Sequence, residues 1–349
     1  MTSLSNSTPT SVGTSRRPTM RDVATLAGVG IKTVSRVING EPHVSAATIE
    51  RVQRAAADLN FQPDLHAGNL RRTGRRTATI GLLVGSVSNP FSGALHRAVE
   101  DIAVHRGVAV FASSLDDDPD LEERAVDAFL KRRVDGLILT TIKRSQAYLL
   151  AEQKHGTPLV FIDREPTGLE ADSVVSSNAA GAAEATRHLI QHGHRHIAYL
   201  GDRPEIQTAR ERKRGFMEEL GRAGIPTGEV TIVEGLTDEA RSQAAVEALF
   251  AGPTPPTALF SAQNLITVGA YRALRRLGLQ HTVALVGFDD IELADLLEPG
   301  LTVVAQDAAR IGHVAAERIF ARLDDASLEP QTFVVPTVLI PRGSGEISP

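Results

Sequence analysis

The sequence predicts an α/β protein: a small all-α head, then a body of two doubly wound lobes, each a parallel sheet covered by helices on both faces. Three observations lead there. Short helical spacings crowd the stretch from Thr19 to Leu59. From Ile80 onward, short apolar runs alternate with amphipathic helical spacings, the pattern of strands and helices in a parallel sheet. Seven such runs are more than one compact core of this kind holds, so the body divides in two.

Nine of the first fifteen residues are Ser or Thr and almost none is apolar, so residues 1–17 read as a disordered tail. Thr19 then caps a helix whose apolar face is Met20, Val23, Ala24 and Ala27, with Gly28 as its stop. Ile31, Val34, Val37 and Ile38 lie at helical spacing in a second helix that ends at Asn39 and Gly40. Ser45 caps a third, from about Ala46 to Leu59. Two short helices joined at a glycine and braced by a third meet the requirements of a helix-turn-helix, although a plain three-helix packing domain gives the same pattern. The strand candidates are Ile80 to Val84, Val108 to Phe111, Gly136 to Leu139, Leu159 to Ile162, Ile197 to Leu200, Ala258 to Phe260 and Val283 to Phe288. Helical spacings such as Leu95, Val99, Ile102 and Ala270, Leu274, Leu277 fall between them.

The chain has 349 residues, 37 Lys+Arg against 42 Asp+Glu, and no cysteine, which excludes disulfide scaffolds and cysteine zinc sites. No apolar stretch is long enough to span a bilayer and the start lacks the features of a secretory signal, so a cytoplasmic protein without a membrane partner is expected. The charge is unevenly placed. Up to Arg76 there are eleven basic and five acidic residues, a net of +6, leaving 26 basic and 37 acidic residues, a net of −11, for the remainder. A basic head on an acidic body fits a head that meets a polyanion such as nucleic acid.

The run TMRDVATLAGVGIKTVSRVIN from Thr19 to Asn39, followed by Val44 and Ser45 and by Phe61, Gln62 and Pro63, resembles the DNA-binding head of the lactose-repressor/galactose-repressor (LacI/GalR) family. The resemblance implies a helix-turn-helix domain over 18–62, a hinge helix and linker over 63–76, and an effector-binding and dimerisation domain over 77–345. It also implies lobes like those of periplasmic binding proteins, lobe 1 at about 77–175 and 307–332 and lobe 2 at about 178–305 and 333–342. The chain is then expected to cross between lobes near Ser176, Gln306 and Phe333.

A recognition helix presents its first-turn side chains to base edges, and Arg suits guanine through its paired acceptors. By match to the family's motif, Ile31, Lys32 and Arg36 fall at specificity-setting positions, Thr33 and Ser35 at phosphate or capping positions, and Thr19, Asn39 and His43 at further DNA contacts. Gly30 stands where the family has a capping serine, a change of only a few tenths of a kcal/mol at a cap. In the hinge, Leu70 matches the leucine that wedges between base pairs in the minor groove, and Ala67 the small residue facing the partner hinge. Asp64 and Gly68 depart from the family's Asn and Arg, which leaves the hinge helix marginal on its own.

Ligands of open parallel sheets bind beyond the carboxyl ends of the strands. The loops there carry Ser88 to Phe91, Asp163 and Arg164, Gln263 and Asn264, and Asp289 and Asp290. Carboxylates, a guanidinium and amides together suit vicinal hydroxyls, which both donate and accept. The resemblance places Phe91, Ser92, Asp163, Arg164, Arg212, Gln263 and Asp289 at effector positions, with Arg212 and Asp289 foremost. Gln263 and Asn264 replace a common Asn-Asp pair, and Ser177 a frequent Asp. The purine-binding branch has two aromatics where this chain has Phe91 and Ser92, and the run from Asp289 to Ala294 is similar to the ribose-repressor branch, so a pentose is the first expectation.

His188, His192, His194 and His196 cluster, but they read as helix-end and surface residues rather than metal ligands. Gly81 to Gly85 is a strand between glycines, and no nucleophile elbow, phosphate loop or zinc-protease motif occurs. No catalytic residue, metal or cofactor is therefore expected. The reading is a homodimeric, nucleoid-associated transcription regulator, a repressor, that binds a pseudo-palindromic double-stranded operator and answers to a small sugar-like effector. Three alternatives stand beside it: a catabolite-control regulator answering to a phosphocarrier protein, a solute-binding protein, and a sugar-modifying enzyme with similar lobes.

Overall fold

The computed structural model describes residues 16–38, 40–61, 76–116 and 118–349. The chain divides into two units, Met1–Thr77 and Ala78–Pro349. In the first, helices α1 (Met20–Ala27), α2 (Ile31–Ile38) and α3 (Ala46–Asp58) enclose a core centred on Val23, Val34 and Val52. The Asp22 carboxylate closes the start of α1 by accepting from the Thr19 amide and the Thr19 hydroxyl, each at 2.7 Å. Gly28 ends α1 in the left-handed conformation, φ 63°, which glycine adopts without a Cβ penalty. Helix α2 starts on backbone alone, the Gly30 carbonyl accepting from Thr33 and Val34 at 2.8 and 3.2 Å. The Ser45 hydroxyl accepts the Thr48 amide at the head of α3.

The second unit holds two six-stranded sheets. One is ordered β11-β5-β4-β3-β1-β2, from strands β1 (Thr79–Val84), β2 (Ala109–Ser114), β3 (Gly136–Leu139), β4 (Leu159–Ile162), β5 (Asp172–Ser176) and β11 (Thr332–Val335). The other is ordered β12-β10-β9-β8-β6-β7, from β6 (Ile197–Leu200), β7 (Thr231–Val233), β8 (Ala258–Ser261), β9 (Ala284–Phe288), β10 (Thr302–Ala305) and β12 (Val338–Ile340). Each lobe thus repeats one winding; the difference is that β11 joins its sheet parallel and β12 antiparallel.

Five of these strands, β5, β7, β10, β11 and β12, were not among the apolar runs expected from the sequence. Three of the five, β7, β11 and β12, are edge strands, and the other two carry buried polar residues whose bonds replace hydrophobic content. Asp172 of β5 is fully buried between the guanidinium groups of Arg318 and Arg322 and accepts the Gln331 amide at 2.8 Å. Thr302 of β10 is fully buried and donates to the Glu346 carboxylate.

Helices α4 (Pro90–His105) and α11 (Ala308–Asp324), α7 (Asn178–Gln191) and α8 (Gln207–Arg222), and α9 (Glu239–Phe250) and α10 (Asn264–Leu277) pack as close pairs on the sheets. Each pair meets at a glycine. A Cβ on Gly312 would lie 2.7 Å from the Leu95 carbonyl, one on Gly215 2.0 Å from that of Ala179, and one on Gly269 2.3 Å from that of Glu239.

The chain leaves the first lobe between β5 and α7 and returns at Gln306 and Asp307, ahead of α11, which packs on β3, β4 and β5. The third crossing lies beyond its expected place at Phe333. Residues Thr332–Val335 pair in parallel with Ser173–Ser176 of the first sheet, so the passage falls at Pro336 and Thr337. The first and third passages are bonded to each other, Ser177 Oγ lying 3.1 Å from Thr337 Oγ1 and accepting the Thr337 amide at 3.0 Å.

The histidine cluster also departs from expectation. His194 is fully buried, with Nδ1 2.9 Å from Thr257 Oγ1 and Nε2 2.7 Å from the Ile347 carbonyl, and burial holds its pKa below the usual value. His188 is buried as well and reaches Glu346 at 2.6 Å. These histidines fasten the C-terminal segment, which continues the second lobe past residue 342, with Ser344 donating to the Leu285 carbonyl at 2.6 Å. Only an end-of-helix role had been apparent, because the segment they hold is far away in sequence.

Gly215→Ala is expected to destabilise the second unit by about 1 to 3 kcal/mol, since a methyl group there meets backbone that cannot rotate aside. Thermal unfolding checks this; an unchanged Tm would mean that α7 and α8 separate freely.

Candidate functional sites

The exposed face of α2 carries Ile31, 47% exposed, together with Lys32 and Arg36. Val34, two residues from both Lys32 and Arg36, is buried on the side of the helix away from them, while Ile31 lies at the border of that buried face. Thr33 and Ser35 are half-buried at the margin. Arg36 Nε is 3.8 Å from the Glu41 carboxylate at an exposed site, an ion pair weak enough to be exchanged for another acceptor. Thr19 spends its hydroxyl on Asp22, and His43 is exposed with a left-handed backbone, φ 74°. Asn39, Ala67 and Leu70, with Asp64 and Gly68, lie outside the described residues.

In the body, the carboxyl ends of both sheets line a cavity of about 280 Å³. All seven residues singled out from the sequence, Phe91, Ser92, Asp163, Arg164, Arg212, Gln263 and Asp289, border it. Phe91 and Ser92 come from the first turn of α4, whose N-cap Asn89 accepts the Phe91 amide at 3.0 Å. Gln263 accepts the Ile266 amide at 3.1 Å and so caps α10.

Asp163 and Asp289 occupy equivalent places in the two lobes. Each directly follows a strand and takes a left-handed backbone, φ 68° and 73°. Each donates its amide to the neighbouring strand, Asp163 to Val174 at 3.0 Å and Asp289 to Val304 at 2.9 Å. That kink ends the strand and directs the carboxylate to the cavity. Burial raises the pKa of Asp163, opposed by the Arg164 and Arg212 guanidinium groups. Asp289 is held by the amide of Gln306, whose Oε1 is buried without a partner.

Arg212 is 5% exposed, with its guanidinium carbon 3.9 Å from the centre of the Phe288 ring. Its Nε donates to Asn178 Oδ1 and one terminal nitrogen to the Ala262 carbonyl, both at 2.8 Å. Arg164 donates to the Thr141 carbonyl at 2.8 Å and lies 3.4 Å from Asp163. Two side-chain clasps join the lobes: Asn264 Nδ2 donates to Asn89 Oδ1 at 2.7 Å, and Gln207 accepts the Glu165 amide at 2.9 Å.

Several lining residues escaped the sequence reading, chiefly Asp116, Asp202 and Gln306. Asp116 follows a strand that runs to Ser114, three residues beyond its expected end, and Gln306 follows β10, which was not anticipated. Asp202 was within reach of the same strand-end rule. Among the described residues no group of three or more metal-ligating side chains occurs, and no helix is long and apolar enough to cross a membrane.

Comparison with known proteins matches both parts of the chain. Residues 19–64 match the bacterial regulatory proteins of the lacI family, and residues 186–345 match a periplasmic binding protein-like domain. The ribose operon repressor of Escherichia coli (strain K12) is 32% identical over 329 residues, covering 93% of this chain and 99% of the relative. The lac repressor dimer bound to operator and the anti-inducer ONPF has a TM-score of 0.82 at 27% identity, covering 95% of this chain and 99% of that one. The transcriptional regulator CelR in complex with cellobiose has a TM-score of 0.68 at 31% identity, covering 94% and 100%. The chain therefore belongs to the lacI family of bacterial regulatory proteins and is a DNA-binding transcriptional regulator.

Proposed function

We propose that the protein is a homodimeric repressor whose two heads bind a pseudo-palindromic operator and whose affinity for it is set by a small sugar-like effector held between the lobes. The observation that carries the effector reading is the matched pair Asp163 and Asp289, one from each lobe, facing a cavity that also holds two guanidinium groups and an unpartnered amide oxygen. Such a lining gives acceptors and donors in alternation to vicinal hydroxyls, while Phe91 supplies the one apolar face a sugar ring needs. A pentose is the first candidate, in keeping with the similarity to a ribose operon repressor. A ligand bridging Asp163 and Asp289 prefers one arrangement of the lobes, and that preference is what is transmitted to the heads. On the DNA side Arg36 and Lys32 read base edges and Ile31 makes apolar contact. Thr19, Thr33, Ser35, Asn39 and His43 hold the backbone, and Ala67 and Leu70 act in the minor groove. A regulator of this kind works on the nucleoid.

Three outcomes test the assignment. Arg36→Ala is expected to weaken specific binding by about 1 to 3 kcal/mol and to relax preference at one base pair, read by fluorescence anisotropy on operator variants; retained preference at every position removes Arg36 from the readout. Asp289→Ala should leave operator affinity intact and abolish its change with effector, and a full response in that variant would refute the role. Asp163, whose pKa burial raises, binds its proton more readily folded than unfolded. Its contribution to stability is thus present at low pH and is lost as pH rises through the folded-state pKa. Comparing Asp163→Asn with the parent in denaturant across pH 3 to 8 reads this directly, since the substitution should flatten that part of the profile.

A further inference from the structure

Beside the cavity between the lobes lies a second one of about 480 Å³ that shares Arg164 with it, and the two differ in charge. The first is bordered by Asp116, Asp163, Asp202 and Asp289 against Arg164 and Arg212. The second is bordered by Lys143, Arg144, Arg164 and Arg210 against Glu165 and Glu205. Arg164 stands in both, its Nε buried without a hydrogen-bond partner but 3.4 Å from the Asp163 carboxylate.

The walls of this vestibule are fixed in place. One is the loop after β3, from Thr141 to Gln146. Fully buried Glu122 accepts the amides of Ile142 and Lys143 at 2.7 and 2.9 Å and the Tyr148 hydroxyl at 2.7 Å. Buried Gln146 donates to the Lys143 carbonyl at 2.7 Å and accepts the Thr167 amide at 2.8 Å. The opposite wall is the start of α8, where the N-cap Ile206 has no side chain to satisfy the first amides. Arg210 donates to the carbonyls of Pro204 and Glu205, which orients it along the wall, and neither Arg210 nor Arg144 pairs with a carboxylate among the described residues. The Glu165 carboxylate, by contrast, is occupied by Gln207 and Thr332.

We propose that the vestibule is an anion subsite and that the effector is a phosphorylated sugar, its neutral ring in the acidic cleft and its phosphoryl group among Arg144, Arg164, Arg210 and the start of α8. The proposal rests on the sugar-effector reading for the ring and adds the charged end. The cleft sets four aspartates against two guanidinium groups, which disfavours an anion there, whereas the vestibule offers Arg144 and Arg210 without carboxylate partners among the described residues and a helix start without a side-chain cap.

Calorimetry on the full chain tests it, with D-ribose, D-ribose 5-phosphate, D-glucose, D-glucose 6-phosphate and inorganic phosphate as probes. The comparison is the parent protein with an Arg144→Gln/Arg210→Gln variant, both positions being exposed and outside any core. One sugar phosphate should bind at least tenfold more tightly than its parent sugar, about what one charge-assisted hydrogen bond supplies. That advantage should shrink with added salt and fall to within about twofold in the variant. A free sugar that binds as tightly as its phosphate overturns the vestibule and leaves the sugar cleft standing. Inorganic phosphate bound alone, and lost in the variant, with no sugar bound by either form, keeps the vestibule and overturns the sugar. Binding of no probe overturns both.

Discussion

The burial of one guanidinium group organises the ligand-facing end of the body. Arg212 reaches from α8 to the Asn178 side chain at the start of α7, to the Ala262 carbonyl beyond β8, and to the face of Phe288 at the end of β9. A charge so far out of water needs its donors met, and here two are met by acceptors at a helix start and beyond a strand end, with an aromatic face from a third element. Those ends are therefore held at fixed separations before any ligand arrives. Asp289 follows Phe288 and Gln263 follows Ala262, so both inherit their positions from the same contact. The close approach of α8 to α7 across Gly215 is what brings Arg212 deep enough to make it.

Much of this was legible in the sequence because it is local. The caps at Thr19 and Ser45, the stop at Gly28 and the apolar spacing of the three head helices specify the head within a few dozen residues. The central strands of each sheet are continuous apolar runs, and the residues just after them, Asp163, Arg164, Gln263 and Asp289, follow from the rule that such sheets bind at their carboxyl ends. What was not legible depends on partners distant in sequence. Strand β5 carries a buried aspartate that makes sense only once Arg318 and Arg322 arrive from α11. Strand β10 hides because Thr302 is satisfied by Glu346. Missing those strands meant missing Gln306 at the end of one of them, and shifting the last passage between lobes by a few residues. His188 and His194 likewise look like helix-end residues until the C-terminal segment they hold is in view.

The repetition of one winding in the two lobes has a chemical result. Because Asp163 and Asp289 sit at corresponding strand ends with the same left-handed turn and the same amide bond to the next strand, the cavity presents two like carboxylates from opposite sides. The lobes differ in what each carboxylate meets: the Arg164 guanidinium lies 3.4 Å from Asp163, whereas the Gln306 amide donates to Asp289. On the proposed reading, the two carboxylates supply a common chemistry on both sides of a ligand and the differing neighbours its orientation.

The stitching of Ser177 to Thr337 bears on how the lobes move. Of the three strands of chain that pass between them, two are joined side to side by a hydroxyl pair and a backbone amide, and so behave as a single ribbon. Sliding one lobe over the other would shear that ribbon and break both bonds, while turning about its long direction leaves them intact. That linkage favours rotation of the lobes over sliding, and Gln306, at the remaining passage, is in contact with Asp289.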